Sequence, residues 1–286
     1  MKAILVTGAS SGIGFSTCAL FIKKGYLVFG SVRKKSDAKR LSKSFGETFI
    51  PLIFDINDVR SIQVSQLIVK KKLRGHNLTA LINNAGIAVL GPLEDIAIDD
   101  FQKQLETNII GTLKCIQCFL PMLGTTSTNN GTKGRIINVS SALGGKIGYP
   151  FYGAYCCSKH GLEALSETLR RELSVYGITV SIIAPGGIKT PIWEKSKADF
   201  YNVAKPKSKY AKAARKVQQD IGKFASHGLK AETVALKILK AVEAKSPRIR
   251  YTFLREFTLT LIYFTPRRVL DWAITKYLNL RRHNSY

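Results

Sequence analysis

Tyr155 and Lys159 stand four residues apart in the run Tyr-Cys-Cys-Ser-Lys. On a helix that spacing puts both side chains on one face. A phenol holds its proton until about pH ~10 and is a poor acid-base catalyst near neutrality, but an adjacent ammonium favours the phenolate and lowers that value. A second group, Thr7-Gly8-Ala9-Ser10-Ser11-Gly12-Ile13-Gly14, follows a short β-branched run and opens a helical one. Its glycines let the backbone turn tightly and approach a pyrophosphate, whose charge suits the unpaired N–H groups at a helix start. The spacing Gly-x-x-x-Gly-x-Gly departs from GxGxxG, yet its strand-turn-helix setting points to dinucleotide binding.

The end of the next strand selects the dinucleotide. A carboxylate there would hydrogen-bond the ribose 2′-hydroxyl of NAD. The chain instead has Ser31-Val32-Arg33-Lys34-Lys35. With no acid in that run to repel a 2′-phosphate and three cations to pair with it, NADP(H) is expected over NAD(H), with Arg33 as the leading ligand.

The elements that must position these residues alternate. Short apolar runs at 3–6, 27–32, 49–54, 80–82, 135–139 and 179–183 are separated by stretches with helical apolar spacing, among them 13–24, 59–73, 101–123 and 154–176. Strands that alternate with helices imply an α/β, Rossmann-type, doubly wound and mainly parallel sheet, with helices on both faces of a single domain. The strands are apolar throughout, as a sheet covered on both sides requires. Residues 1–247 form the expected catalytic unit, including a lysine-rich flap at 191–227. A basic amphipathic extension at 248–286 follows the break at Pro247. The polar run 124–134 reads as an exposed loop.

Composition narrows the function classes. The 286 residues are 45% hydrophobic and 22% charged, ordinary for a globular protein. The formal charge is +25, and residues 195–286 carry 21 lysines and arginines against 6 acids. Such a surplus attracts polyanions. No nucleic-acid motif or aromatic-basic platform precedes the tail, so nucleic acid is not expected as a partner. The tail could instead meet an anionic membrane through its amphipathic segment, or close a pocket with Phe257, Leu261, Trp272 and Ile274. The five cysteines lack the spacing of a disulfide scaffold. Cys115 and Cys118 form a CxxC without zinc-ligand histidines, so no metal is expected. Met1-Lys2-Ala3 leads directly into the first strand, and no uncharged apolar run reaches the ~18 residues of a spanning helix. A cytoplasmic protein is expected.

The residues together resemble the short-chain dehydrogenase/reductase family from Lys2 to about Pro191. The resemblance rests on Thr7-Gly8-x-x-x-Gly12-x-Gly14, Asp55, Asn83-Asn84-Ala85-Gly86, Asn108, Ser140-Ser141, Tyr155-x-x-x-Lys159, and Pro185-Gly186 with Thr190. It implies roles. Asp55 would bond the adenine amine and Ile56 would lie against the ring. Asn83 would brace the central strand while Ala85 and Gly86 line the cofactor's ribose. Ile188 and Thr190, beyond Pro185 and Gly186, would hold the nicotinamide carboxamide. Lys159 would bridge the nicotinamide ribose hydroxyls and lower the pKa of Tyr155, and Asn108 would hold a water linking Lys159 to solvent. Tyr155 would protonate a substrate oxygen polarised by a serine. Alignment on the Ser-Ser pair selects Ser141 over Ser140, with an extra residue, Gly144 or Gly145, bulging away.

Within the family, residues 25–30, the run Trp193-Glu194-Lys195-Ser196 and the basic tail look most like the retinol and 17β-hydroxysteroid dehydrogenase group. The implied function is an oxidoreductase of hydrophobic carbonyls or secondary alcohols. The alternatives are a 3-oxoacyl-[acyl-carrier-protein] reductase and a nucleotide-binding sensor without turnover. A homodimer or homotetramer through helices 101–123 and 155–176 is also implied.

Overall fold

A computed structural model of the protein describes residues 1–125, 132–144, 147–192, 208–253 and 265–280. The run Trp193-Glu194-Lys195-Ser196, Gly145, Phe257 and Leu261 lie outside them. The strands are β1 (Ala3–Val6), β2 (Leu27–Val32), β3 (Phe49–Ile53), β4 (Ala80–Asn83), β5 (Arg135–Val139), β6 (Thr179–Pro185) and β7 (Arg250–Phe253). They form one sheet in the order β3-β2-β1-β4-β5-β6-β7, and every neighbouring pair is parallel. The order reverses between β1 and β4, and in such sheets ligands bind beyond the carboxyl ends of the strands at this switch.

Why these runs become covered strands is plain in β1. All four of its residues are fully buried. Successive side chains alternate between faces: Ile4 and Val6 pack in one core cluster with Phe21 and Ile238, and Ala3 and Leu5 pack in another with Ile62 and Phe119. Each such side chain contributes roughly 1.5–3 kcal/mol of burial. The covering helices are α1 (Gly12–Lys23), α2 (Lys35–Phe45), α3 (Val59–Leu73), α4 (Ile98–Leu105), α5 (Gly111–Phe119), α6 (Gly153–Glu172), α7 (Ala211–His227) and α8 (Ala231–Glu243). Helix α8 seats on α1, where Ser16 Oγ donates to Glu232 at 3.2 Å.

Two expectations are corrected. The single helix expected at 101–123 is broken into α4, a five-residue π-helical turn (Glu106–Ile110), α5 and a 3₁₀ turn (Leu120–Leu123). Directly after the π-helical turn the backbone comes close to the segment following β3 at Gly111, where a Cβ would lie 2.9 Å from the Ile56 carbonyl oxygen. The boundary at Pro247 also fails, because β7 lies beyond it and pairs with β6 from Ile182↔Arg250 to Pro185↔Phe253. A four-residue strand with one fully charged end carries too little local apolar signal to be read without its partner.

A third apolar cluster lies at the top of α6. Tyr155, Phe151, Leu90 and α7 residues Ala214 and Val217 pack there with Leu278. The C-terminal helix α9 (Arg267–Tyr277) leads into that contact.

Candidate active site

The turn after β1 is a cradle with little spare room. Gly8 and Gly12 adopt φ of +70° and +55°, where a side chain is strained, and a Cβ on Gly14 would fall 2.1 Å from the Gly8 carbonyl oxygen. Ser11 caps α1 without a side-chain hydrogen bond, and the first turn carries no acid. With Ser10 and Ile13 in the same turn, this open helix start fits the diphosphate of a dinucleotide. Ser31 Oγ accepts from the Gly8 N–H at 3.0 Å, tying the turn to β2. Arg33 follows β2 and is exposed; nearby, Arg40 donates to the Ser10 carbonyl at 2.7 Å while pairing with Asp37 at 2.9 Å.

The other strand ends converge on the cradle. Asp55 and Ile56 follow β3, where the Asp55 carboxylate accepts from the Asn57 N–H at 2.9 Å and Ile56 is buried. After β4, Asn84 Nδ2 donates to the carbonyls of Thr7 and Gly8, and Thr7 Oγ1 accepts from the N–H groups of Asn84 and Ala85. Asn83 Nδ2 donates to Asn138 Oδ1 at 2.8 Å, bracing β4 on β5. After β6, the Pro185 carbonyl accepts from Ala142 N–H, and Gly186 N–H donates to Phe253. Ile188 is buried, and Thr190 brings its methyl to 3.1 Å from where a Gly12 Cβ would stand.

Helix α6 carries the two residues expected to react. Tyr155 and Lys159 are both buried one turn apart, with Lys159 Nζ 5.8 Å from the Tyr155 ring centroid. The two serines after β5 diverge. Ser141 lies beside Tyr155, where its hydroxyl favours the phenolate, and its Oγ accepts from Leu143 N–H at 3.2 Å, whereas Ser140 Oγ donates to Glu163 at 2.8 Å. Asn108 lies on the π-helical turn, beside Gly86.

A family profile described as short chain dehydrogenase matches residues 2–200. An NADPH-dependent 3-dehydrocapnine reductase of Ornithobacterium rhinotracheale is 37% identical over 273 residues, covering 95% of each chain. The chain belongs to the short-chain dehydrogenase/reductase family. Retinol dehydrogenase 5 of Homo sapiens is 34% identical over 190 residues, 66% of this chain and 57% of that protein, so the retinol dehydrogenase-like group is supported. A short-chain dehydrogenase/reductase from Burkholderia phymatum in complex with NAD shares the fold, with a TM-score of 0.77 at 19% identity and 95% coverage of both chains. The protein is thus an oxidoreductase of this family.

The geometry of this short-chain dehydrogenase bears on three sequence expectations. Burial pushes the Tyr155 phenol up to about 12, opposed by the neighbouring Ser141 hydroxyl. Lys159 Nζ donates to the Val139 carbonyl at 2.9 Å. Lys159 is itself lowered to about 8 by burial, against an opposing pull from Glu163. Second, both amide protons of Asn108 are committed, to the Ile87 carbonyl at 3.0 Å and Ser158 Oγ at 3.0 Å, while Oδ1 accepts from Ile87 N–H. Its side-chain amide therefore braces the loop after β4, and a water would have to be held by a remaining oxygen lone pair. Third, of the two glycines that could bulge away, Gly144 is packed inward, where a Cβ would meet Ser140 Oγ at 2.5 Å and Glu163 Oε1 at 2.6 Å, and Gly145 lies outside the described residues.

Several residues of the site went unread in the sequence. Gln104, fully buried, donates to the Ile87 carbonyl and Ser158 Oγ and accepts from Val89 N–H. Its spacing of four from Asn108 is the signal that could have found it. Phe151 takes φ of +68°, rare for a bulky side chain, four residues before Tyr155, and its ring meets Tyr210 edge-on at 5.7 Å. Beside it a cavity of about 240 Å³ opens between Leu93, Tyr149, Phe151, Tyr210 and Leu280.

Proposed function

We propose that this protein is an NADP(H)-dependent oxidoreductase interconverting a hydrophobic ketone or aldehyde and its alcohol. The observation that carries the reading is Tyr155, beside Ser141 and set in an apolar cluster with Phe151, Leu90 and Val217. A polar pair in such surroundings suits a substrate with one reacting oxygen on an apolar body.

The residues present fit a dinucleotide cofactor, held by Gly8 to Gly14 at its phosphates, by Asp55 and Ile56 at the adenine, and by Ile188 and Thr190 at the far end. When bound, the nicotinamide supplies the hydride that the substrate carbon receives. Tyr155, kept protonated by its burial, gives its proton to the carbonyl oxygen, and Ser141 donates a hydrogen bond to the same atom. Lys159 returns a proton to the resulting phenolate. Arg33, with Lys34 and Lys35 beside it, supports the 2′-phosphate, and the relative named as NADPH-dependent agrees with this preference.

The tail serves the pocket from one side. Ile274, Leu278 and Leu280 pack with the Tyr155 cluster. Trp272, one of the residues expected to close the pocket, is instead 51% exposed beside Val269 at 52%, with Lys276 4.7 Å over its ring. This outward face, with Arg267 and Arg268, supports contact with an anionic membrane. Exposed Ile98 and Ile110 support self-association through the helices at 98–119.

The test is NADPH oxidation by purified protein against steroid, retinoid and medium-chain carbonyls. Turnover that disappears in Tyr155→Phe is expected. Tight NADPH binding without turnover across the panel would favour the sensor reading. Equal dissociation constants for NADH and NADPH, by fluorescence titration, would remove the cofactor preference.

A further inference from the structure

Arg250 begins β7, far in sequence from the catalytic loop, yet its guanidinium reaches that loop. Nε and Nη2 donate to the two carboxylate oxygens of Glu163 at 3.0 and 3.1 Å. Nη2 also donates to the carbonyls of Gly144 at 3.1 Å and Ser141 at 3.4 Å, while Nη1 donates to Thr252 Oγ1. Glu163 Oε1 accepts in addition from Ser140 Oγ at 2.8 Å. Glu163 is on α6, one turn beyond Lys159, and is buried.

The ion pair thus holds the loop after β5 at the Ser140 hydroxyl and at the carbonyls of Ser141 and Gly144. Gly144 has no Cβ because the carboxylate and Ser140 occupy that space. Side-on pairing of a guanidinium with a carboxylate fixes direction as well as distance, which a lysine cannot reproduce. The same loop carries Ser141 beside Tyr155, with Ser141 Oγ accepting from Leu143 N–H at 3.2 Å.

We infer that Glu163 and Arg250 are positioning residues, a clamp between α6 and β7 that sets the Ser141 hydroxyl against the Tyr155 hydroxyl. The inference deepens the proposed function by naming what orients the serine, and it rests on Ser141 acting there. The clamp makes β7 part of the active site. It touches neither Tyr155 nor the glycine-rich turn, so its loss should spare dinucleotide binding.

The test compares Arg250→Lys, Ser141→Ala and the double variant in NADPH-dependent reduction of a medium-chain methyl ketone. Arg250→Lys is expected to lower kcat by about tenfold or more, with the NADPH dissociation constant within about twofold of the parent. In the Ser141→Ala background the same change should cost less than about twofold, because a residue acting through Ser141 has nothing left to position. Multiplying losses would overturn the clamp, leaving Arg250 a merely structural residue. Glu163→Gln, which keeps the shape and loses the charge, is read in the same way and stands in if Arg250→Lys does not fold. Hydrogen exchange gives a readout independent of turnover. The peptide spanning 139–148 should exchange about fivefold faster in either variant with β1 and β4 unchanged, and unaltered exchange would also overturn the proposal. Full turnover in Ser141→Ala would count against the Ser141 role instead, and the exchange result would still decide the clamp.

Discussion

At the scale of single residues, burial governs the electrostatics more than pairing does. Tyr155 is pushed up to about 12 and Lys159 down to about 8 by the same cause, acting oppositely on an acid that is charged when deprotonated and a base that is charged when protonated. Burial therefore favours the protonated Tyr155 near neutral pH. Lys159 carries its charge below about pH 8 and loses it above, so kcat/KM for ketone reduction should be level near neutrality and fall as pH rises through about 8; a profile flat to pH ~10 would exclude Lys159 from the reaction. The serine pair allows a sharper comparison. Ser141→Ala should lower kcat by about a hundredfold, whereas Ser140→Ala, which removes only a bond to Glu163, should cost less than about tenfold. Steady-state kinetics on both variants decide it.

At the scale of elements, the glycine turn and the π-helical turn show two ways of making room. Gly14 admits the Gly8 carbonyl and the Asn84 amide where a Cβ would stand. Gly14→Ala must push β1 from α1, and a loss on the order of 2–4 kcal/mol in urea unfolding is expected, together with weakened dinucleotide binding. The π-helical turn widens the helix so that Asn108 and Gln104 both reach the loop after β4 and meet Ser158 on α6. Ser158 Oγ in turn donates to the Tyr155 carbonyl at 2.8 Å. The motif residues Asn108 and Tyr155 were legible in the sequence, but the bend joining them was not. The amino acids of 101–123 are compatible with an unbroken helix, and the close approach of Gly111 to Ile56 is a contact between distant segments.

At the scale of the whole molecule, the C-terminal segment joins the site to the surface. Among the described residues no helix is long and apolar enough to cross a membrane. Removing residues 266–286 should uncover Leu278's partners around Tyr155, raising KM for apolar substrates by about tenfold while leaving NADPH affinity unchanged. The same deletion should abolish sedimentation with anionic liposomes; equal pelleting of the two proteins would remove the membrane contact.

The sequence alone determined the parallel α/β sheet, the glycine cradle and the Tyr155–Lys159 pair, because each depends on residues close in the chain. Continuous apolar runs leave no alternative to a doubly covered sheet, and a spacing of four fixes a shared helix face. Only the tertiary structure decided the partner of each serine, the commitment of Asn108, and the entry of β7 into the sheet. These depend on contacts between distant segments, such as Glu163 with Arg250, and on the water that packing excludes from around Tyr155 and Lys159. A local pattern carries no record of which remote side chain fills the next space, and burial, which sets the two pKa values, is a property of the assembled core.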